Sequence, residues 1–164
     1  MTINCYCGSG FDLPFKQRKQ LLQGFDSFCS GDCLYKYILD TGLTIEPDIL
    51  KNGFIYPSIM NEPSDYWCRE TQRFYRSRSE ATFARWCEAN QIRYAYEPYT
   101  IRFTTRRSYT PDFWLPEYYQ FVEVKGVWSG SAKKKMRLAV DKGFKLLLVP
   151  DYLIRKLNRV WREK

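Results

Sequence analysis

The stretch "YTPDFWLPEYYQFVEVKGVW", residues 109–128, decides the fold. It is largely apolar and aromatic, yet it places Asp112, Glu123 and Lys125 within fourteen residues. Side chains alternate across a strand. In "FVEVKG", Val122 and Val124 therefore take one face, suited to a core, while Glu123 and Lys125 share the other. A loop at Pro116–Tyr119 sets Leu115 opposite Gln120, and the same register sets Asp112 opposite Glu123. Directly opposed Cβ atoms lie about 4.5–5.5 Å apart. Two carboxylates at that spacing repel unless a cation sits between them. Lys125 is one candidate; a divalent ion is a better one, and hard oxygen ligands select magnesium or manganese. Lys125 would then hold or activate a water, or stabilise nearby negative charge. The alternative is an Asp-Glu-Lys cluster that neutralises itself on a solvated face. Against it stand Phe113, Trp114, Phe121, Val122 and Val124, which make the hairpin central.

Working outward, "SRSEATFARWCEANQ" precedes this hairpin and predicts a helix of about eleven residues with Ser79 as N-cap. Glu80, Phe83, Ala84 and Cys87 share one helical face. Glu80 is thus either a first-turn acid favoured by the helix dipole or an inward-facing functional carboxylate; spacing alone does not choose. "IRYAYEPYTIRF", residues 92–103, is strand-like, and Pro98 divides it into two short strands or bends one edge strand. Residues 104–108, "TTRRS", read as a polar turn. After the hairpin, residues 131–142 predict a basic amphipathic helix with Met136, Leu138, Ala139 and Val140 as its apolar content. Gly143 is its stop. "FKLLLVP" reads as a strand covered on both faces, and "DYLIRKLNRVWREK" as a final basic helix. The order helix, strands, hairpin, helix, strand, helix predicts an α/β or α+β fold around a mixed sheet.

Pro111-Asp112 followed by Glu123-Val124-Lys125 resembles the motif of the PD-(D/E)xK nuclease superfamily, and Glu80 matches the helical acid that precedes it in many members. The resemblance implies a restriction-endonuclease-like αβββαβ core and a divalent-metal phosphodiesterase. The stretch from 109 to 128, with "KKKMRL" after it, is most similar to the phage junction-resolving endonuclease I branch, and also looks like the endonuclease subunit of cut-and-paste transposons. Carried over residue by residue, Asp112 and Glu123 are the main metal ligands, joined by the Val124 carbonyl and by Glu80. Lys125 positions or activates the attacking water and steadies the charged phosphorane. Lys133, Lys134 and Lys135 on the next helix contact phosphates or form a plain solvated face.

Composition agrees with a polyanion partner. The 164 residues hold 26 Lys and Arg against 18 Asp and Glu, a formal charge of +8, and 18% are aromatic. There is no histidine, which excludes Ser-His-Asp hydrolases, His-metal nucleases and imidazole bases. No apolar run reaches the roughly 20 residues of a membrane span, and "MTINCYCGSGF" lacks the pattern of a secretion signal. The reading is therefore cytoplasmic (the host cytoplasm for a phage protein), where six cysteines suggest metal rather than disulfides.

Four of those cysteines are spaced Cys5-x-Cys7, twenty-one residues, then Cys29-x₃-Cys33. "CYCGSGF" and "FCSGDCLYKYI" look like two ligand knuckles, the second leading into a helix, and resemble a treble-clef zinc finger. Four thiolates suit tetrahedral zinc at a closed structural site. The first knuckle is one residue shorter than the usual CxxC. Cys87 is expected in the core of the first nuclease helix. Lys16, Arg18 and Lys19 could touch DNA beside the zinc. Arg76, Arg78, Arg106 and Arg107 border the nuclease elements and are better candidates for backbone contacts.

The chain is thus expected to hold a zinc module over 1–40, a linker with one short helix over 41–75, and a nuclease domain over 76–164. The predicted function is magnesium-dependent endonuclease cleavage of DNA, on junctions, duplex sites or transposon ends. Junction cutting needs two nicks and so implies a homodimer. The rival is a non-catalytic zinc-containing DNA-binding protein, which leaves Glu80, Asp112, Glu123 and Lys125 unexplained as a set. Nothing in the sequence separates a DNA substrate from RNA.

Overall fold

The structure, a computed structural model, describes residues 2–18, 21–58, 66–126 and 129–162. Lys19 and Pro63 lie outside those residues. The chain begins with a hairpin of β1 (Thr2–Asn4) and β2 (Gly10–Asp12), a single turn α1 (Phe15–Arg18), and the helix α2 (Gly31–Thr41). A 3-10 turn (Asp48–Leu50), β3 (Ile55–Pro57), and a hairpin of β4 (Tyr66–Cys68) and β5 (Arg73–Tyr75) follow. Then come α3 (Arg78–Ala89), β6 (Ala95–Tyr96), β7 (Tyr99–Thr104), β8 (Arg107–Tyr109), β9 (Phe113–Leu115) and β10 (Gln120–Lys125). The chain closes with α4 (Gly130–Asp141), β11 (Leu146–Pro150) and α5 (Asp151–Arg162).

The central sheet has the order β11-β10-β9-β6 and is mixed: β10 and β11 run parallel, the other pairs antiparallel. Leaving aside β7 and β8, the succession α3-β6-β9-β10-α4-β11 is the expected αβββαβ order. The hairpin register is the expected one, with Leu115 opposite Gln120, Trp114 opposite Phe121 and Phe113 opposite Val122. Alternation then sorts the two faces. Phe113, Leu115, Val122 and Val124 share a core with α3 and α5, while Trp114 and Phe121 share a second core with Met136 and Ala139 of α4 and Ile101 of β7. β11 is buried at every position, as a strand covered on both faces must be.

Pro98 divides its segment in a specific way. β6 joins the central sheet, whereas β7 joins a separate three-stranded sheet of order β3-β7-β8. Because β7 reaches Thr104 and β8 starts at Arg107, the polar turn shrinks from the expected five residues to Thr105 and Arg106. A bulge in β7 between Arg102 and Thr104 absorbs the register shift. The stretch 41–75 carries the 3-10 turn together with β3, β4 and β5, and β3 pairs with β7.

Helix ends follow local chemistry. The N-cap of α3 is Ser77, not Ser79. Ser77 lies three residues before Glu80, so its hydroxyl can both accept from the Glu80 backbone and donate to the Glu80 side chain, whereas Ser79 has no acid three residues on. The Ser77 hydroxyl accepts from Glu80 N at 3.2 Å and donates to Glu80 Oε1 at 2.7 Å. At the other end of α4, Gly143 has φ +87, Gly143 N donates to Val140 O at 2.8 Å, and Phe144 N donates to Ala139 O at 3.1 Å. That is a Schellman stop. Val140, counted as apolar helix content, is 42% exposed. The Gly143→Ala variant should lose about 1–2 kcal/mol, because a Cβ in the left-handed region clashes with the backbone. Urea unfolding would measure it, and an unchanged midpoint would contradict the cap.

The cysteine-bearing segment does not fold around a core of its own. Leu13, Phe28, Leu34 and Ile38 belong to the same cluster as Cys87, Tyr152, Leu153 and Leu157. Lys156 Nζ donates to Cys29 O at 2.7 Å, and the Tyr152 hydroxyl accepts from Phe28 N at 3.3 Å. Gly31 sits where a Cβ would meet Leu157 Cδ2 at 2.9 Å and Trp86 Nε1 at 3.1 Å, so glycine lets α2 approach α3 and α5 this closely without a shift of those side chains.

Candidate active site and cysteine centre

Three backbone devices gather the acids. The bond from the Ser77 hydroxyl holds the Glu80 carboxylate inward, where the residue is 7% exposed. Its Oε2 accepts from the Tyr96 hydroxyl at 2.6 Å and from Arg76 N at 3.1 Å. Glu80 is therefore both the first-turn acid and the inward carboxylate; the two readings of its position are one arrangement. Asp112, at the start of the hairpin, is 9% exposed, and its Oδ2 accepts from Val124 N at 2.7 Å. That contact continues the β9–β10 register by side chain where the ladder ends. Glu123, 3% exposed, accepts from the Tyr109 hydroxyl at 2.6 Å on Oε2 and from Lys125 Nζ at 3.0 Å on Oε1.

A fourth acid was not anticipated. Glu97 is 4% exposed, has φ +44, and its N–H donates to Asp112 O at 2.8 Å. Arg76 NH1 lies 3.1 Å from Glu97 Oε1, but that oxygen receives no aligned hydrogen bond, so charge is offset without a donor. The available signal was the same one that exposed Asp112: a lone acid inside an aromatic strand run, "YAYEPYT". Tyr96 and Tyr109 were also missed, since as tyrosines they read as core, and only the tertiary structure aims their hydroxyls at carboxylates.

The electrostatics are those of an acid-rich pocket. Burial, then the charges of Glu123 and Glu80, pushes the Asp112 carboxyl well above the ordinary range, against the pull of Val124 N–H and Lys125. Burial also raises Glu97, which Arg76 partly offsets. Burial alone would lower Lys125, yet Glu123, Asp112 and Glu80 raise it, so it is held as an ammonium. Four acids face two cations, Arg76 and Lys125, and the donors are all hard oxygens. Such a set fits magnesium or manganese. Among the described residues, however, only the cysteine cluster draws three or more ligand atoms all within 4.8 Å of one another. Glu80 is kept back by its own hydrogen bonds to Ser77, Arg76 and Tyr96.

An open cleft of about 340 Å³ exposes Asp112 and Glu123 but not Glu80 or Glu97, and is lined by Arg76, Tyr109, Lys125 and Lys135 among others. Of the basic candidates, Arg76 pairs with Glu97 and Lys135 lines the cleft, while Lys133 and Lys134 do not line it. Arg106 and Arg107 line an adjoining groove. Arg78 turns instead over the Tyr66 ring, 5.7 Å from its centroid.

Cys5 and Cys7 sit in the tight turn between β1 and β2, where Cys5 N donates to Ser9 O at 3.0 Å and Gly8 N to Cys5 O at 2.9 Å. Cys29 precedes the N-cap Ser30 of α2, and Cys33 lies in its first turn. The four sulfurs lie within 4.8 Å of one another, with Cys7–Cys29 at 3.8 Å and Cys29–Cys33 at 3.2 Å. Tetrahedral zinc with Zn–S of about 2.3 Å needs S–S edges of about 3.8 Å. The short Cys5-x-Cys7 knuckle therefore closes without a second spacer residue, and the cluster is consistent with a zinc site. Cys29 N donates to Cys5 Sγ at 3.0 Å, the kind of outer contact that orients a ligating sulfur.

A family model described as Phage endonuclease I matches residues 64–149, just over half of the chain. The chain belongs to that family. Of the two branches its motif resembles, the match is to endonuclease I. No curated protein and no solved structure matches the chain. The matched segment contains Glu80, Glu97, Asp112, Glu123 and Lys125 and stops short of the cysteine cluster. Membership in the endonuclease I family implies endonuclease activity on DNA. Among the described residues, no helix is long and apolar enough to cross a membrane.

Proposed function

We propose that this endonuclease hydrolyses phosphodiester bonds of branched DNA with a divalent metal, and that Glu80, Asp112, Glu123 and Lys125 carry the reaction. The observation behind this reading is that buried Asp112 and Glu123 line an open cleft together with the protonated Lys125, inside the segment matched to the family. Asp112, Glu123 and the Val124 carbonyl, with Glu80 from α3, would hold magnesium or manganese, which when bound supplies Lewis acidity at the phosphate. Glu97 and Arg76 border the same acids. The Tyr109 hydroxyl fixes one oxygen of Glu123, leaving the other to Lys125. As an ammonium, Lys125 is not a base. It orients the attacking water and offsets the charge that grows on the phosphate oxygens. Water adds to phosphorus and gives its proton to solvent, the bond from phosphorus to the departing strand breaks, the leaving oxygen takes a proton from solvent, and no covalent enzyme intermediate is needed.

The cysteine module over 1–40 would be a structural zinc site, the nuclease domain would span 76–164, and 41–75 would join it through β3, which pairs with β7. Two nicks across a junction require two active sites, which a homodimer supplies. The test is cleavage with Mg²⁺ of matched linear, forked and four-way DNA. The expected result is preference for the branched forms by at least about tenfold, a 1.4 kcal/mol distinction. Equal cutting of the linear duplex would remove the junction reading, and no cutting of any substrate would remove the enzymatic one.

A further inference from the structure

Beside the acidic cleft runs a groove of about 440 Å³ on the outer face of the β3-β7-β8 sheet. Its origin is the alternation of β7. In "YTIRFT", Ile101 and Phe103 point inward to the second core, so Thr100, Arg102 and Thr104 point outward. On β8, Tyr109 points inward to Glu123, which leaves Ser108, paired with Arg102, on the outer face. Tyr56 of β3 pairs with Thr100 and completes it.

The lining is chemically one-sided. Arg76, Arg102, Arg106 and Arg107 contribute to it, with hydroxyls between them, and among the described residues no acid lines it. Arg102, Arg106 and Arg107 have no carboxylate partner among the described residues. Arg102 is nevertheless held, its guanidinium 4.0 Å from the centroid of the Tyr56 ring. Stacking of this kind orients the planar fork before any ligand arrives. The hydroxyls of Thr100 on β7 and of Thr110, just past the end of β8, lie 2.8 Å apart. A held guanidinium such as that of Arg102, with hydroxyls beside it and no carboxylate partner, is a donor for phosphate oxygens. The groove and the acidic cleft share Arg76, Ser108 and Thr110, so the two form one continuous depression.

We infer that this groove is the track of the DNA backbone leading to the scissile phosphate, with Arg102 as a phosphate clamp that positions the strand. The inference rests on the proposed nuclease reading for what lies at the end of the track. The binding surface would thus be the outer face of the small sheet. The basic face of α4, from which only Lys135 reaches the cleft, would be secondary.

Binding of a four-way junction and of a linear duplex, measured against salt without divalent metal, tests this separately from cleavage. Each phosphate contact contributes about −0.9 to the slope of log K against log salt. The Arg102→Ala variant should reduce the slope by about 1 on both DNAs and weaken binding about tenfold. Arg106→Ala, at the same groove, should act in the same direction. Lys36→Ala, which removes one charge from exposed α2, should leave the slope unchanged. In Mg²⁺ cleavage, Arg102→Ala should raise KM about tenfold with kcat within about twofold, since the residue acts on binding and not on the acids. An unchanged slope in both arginine variants, or an equal drop in Lys36→Ala, overturns the groove. Loss of cutting by wild-type protein with the slopes as expected overturns only the nuclease reading.

Discussion

Asp112→Asn should lower DNA cleavage at least about a thousandfold, the scale of losing a group that stabilises reaction charge, while DNA affinity stays the same or tightens a few-fold. The asymmetry has a physical origin. Asparagine can still accept Val124 N–H through its side-chain oxygen, so the hairpin end is retained. What disappears is a charge that burial, Glu123 and Glu80 all disfavour. The variant should therefore melt no lower than wild type, and removing a negative charge beside the phosphate path cannot weaken binding electrostatically. Such a trade of stability for activity marks a site built for function. Lys125→Ala should lose cutting on a similar scale, because it takes away the one ammonium facing Glu123. Either variant cutting at the wild-type rate would sink the assignment. A large fall in melting temperature for Asp112→Asn would show that the carboxylate is structural.

Cys29→Ser should reduce bound zinc from one per chain to none and lower stability by several kcal/mol, a fraction of the roughly 10–16 kcal/mol with which structural zinc sites bind. The expected size reflects what hangs on that knuckle. Cys29 lies near Cys7 and Cys33 through its sulfur, near Cys5 through its N–H, and is tied to α5 by Lys156 through its carbonyl. Phe28, its neighbour, is fully buried in the core shared with Tyr152 and Leu157. Losing the metal should therefore loosen more than the first forty residues. Cys68→Ser, at a buried cysteine outside the cluster, should keep its zinc. Metal analysis of both proteins with thermal melts decides it, and a zinc-free wild type would end the claim.

The residues themselves show why some features could be read before folding and others could not. The hairpin register, the opposed faces of Val122 and Glu123, and the stop at Gly143 depend on neighbours a few positions away, and period-two alternation or glycine conformation suffices to see them. The start of α3 was misplaced by two residues because both Ser77 and Ser79 are capping residues, and the choice depends on where the Glu80 side chain can reach back. Glu97 escaped because its partners, Arg76 and Asp112 O, lie far along the chain, and because its positive φ is invisible in composition. Cys5, Cys7, Cys29 and Cys33 were grouped into two knuckles by spacing, but the sharing of one core between α2 and α5, with Gly31 packed under Leu157 and Trp86, joins residues far apart along the chain.

By itself the sequence determined the chemistry available to this protein: no histidine, a carboxylate pair with a lysine on one strand face, and four thiolates in two knuckles. It could do so because each of these is a matter of residue type and short-range periodicity. Only the tertiary structure decided which groups meet. β8 carries Tyr109 to Glu123 on one face and Ser108 to an arginine groove on the other, and α5 serves as the wall against which the cysteine knuckle closes. Those contacts join residues whose separation along the chain costs entropy that only cooperative packing of the whole core offsets.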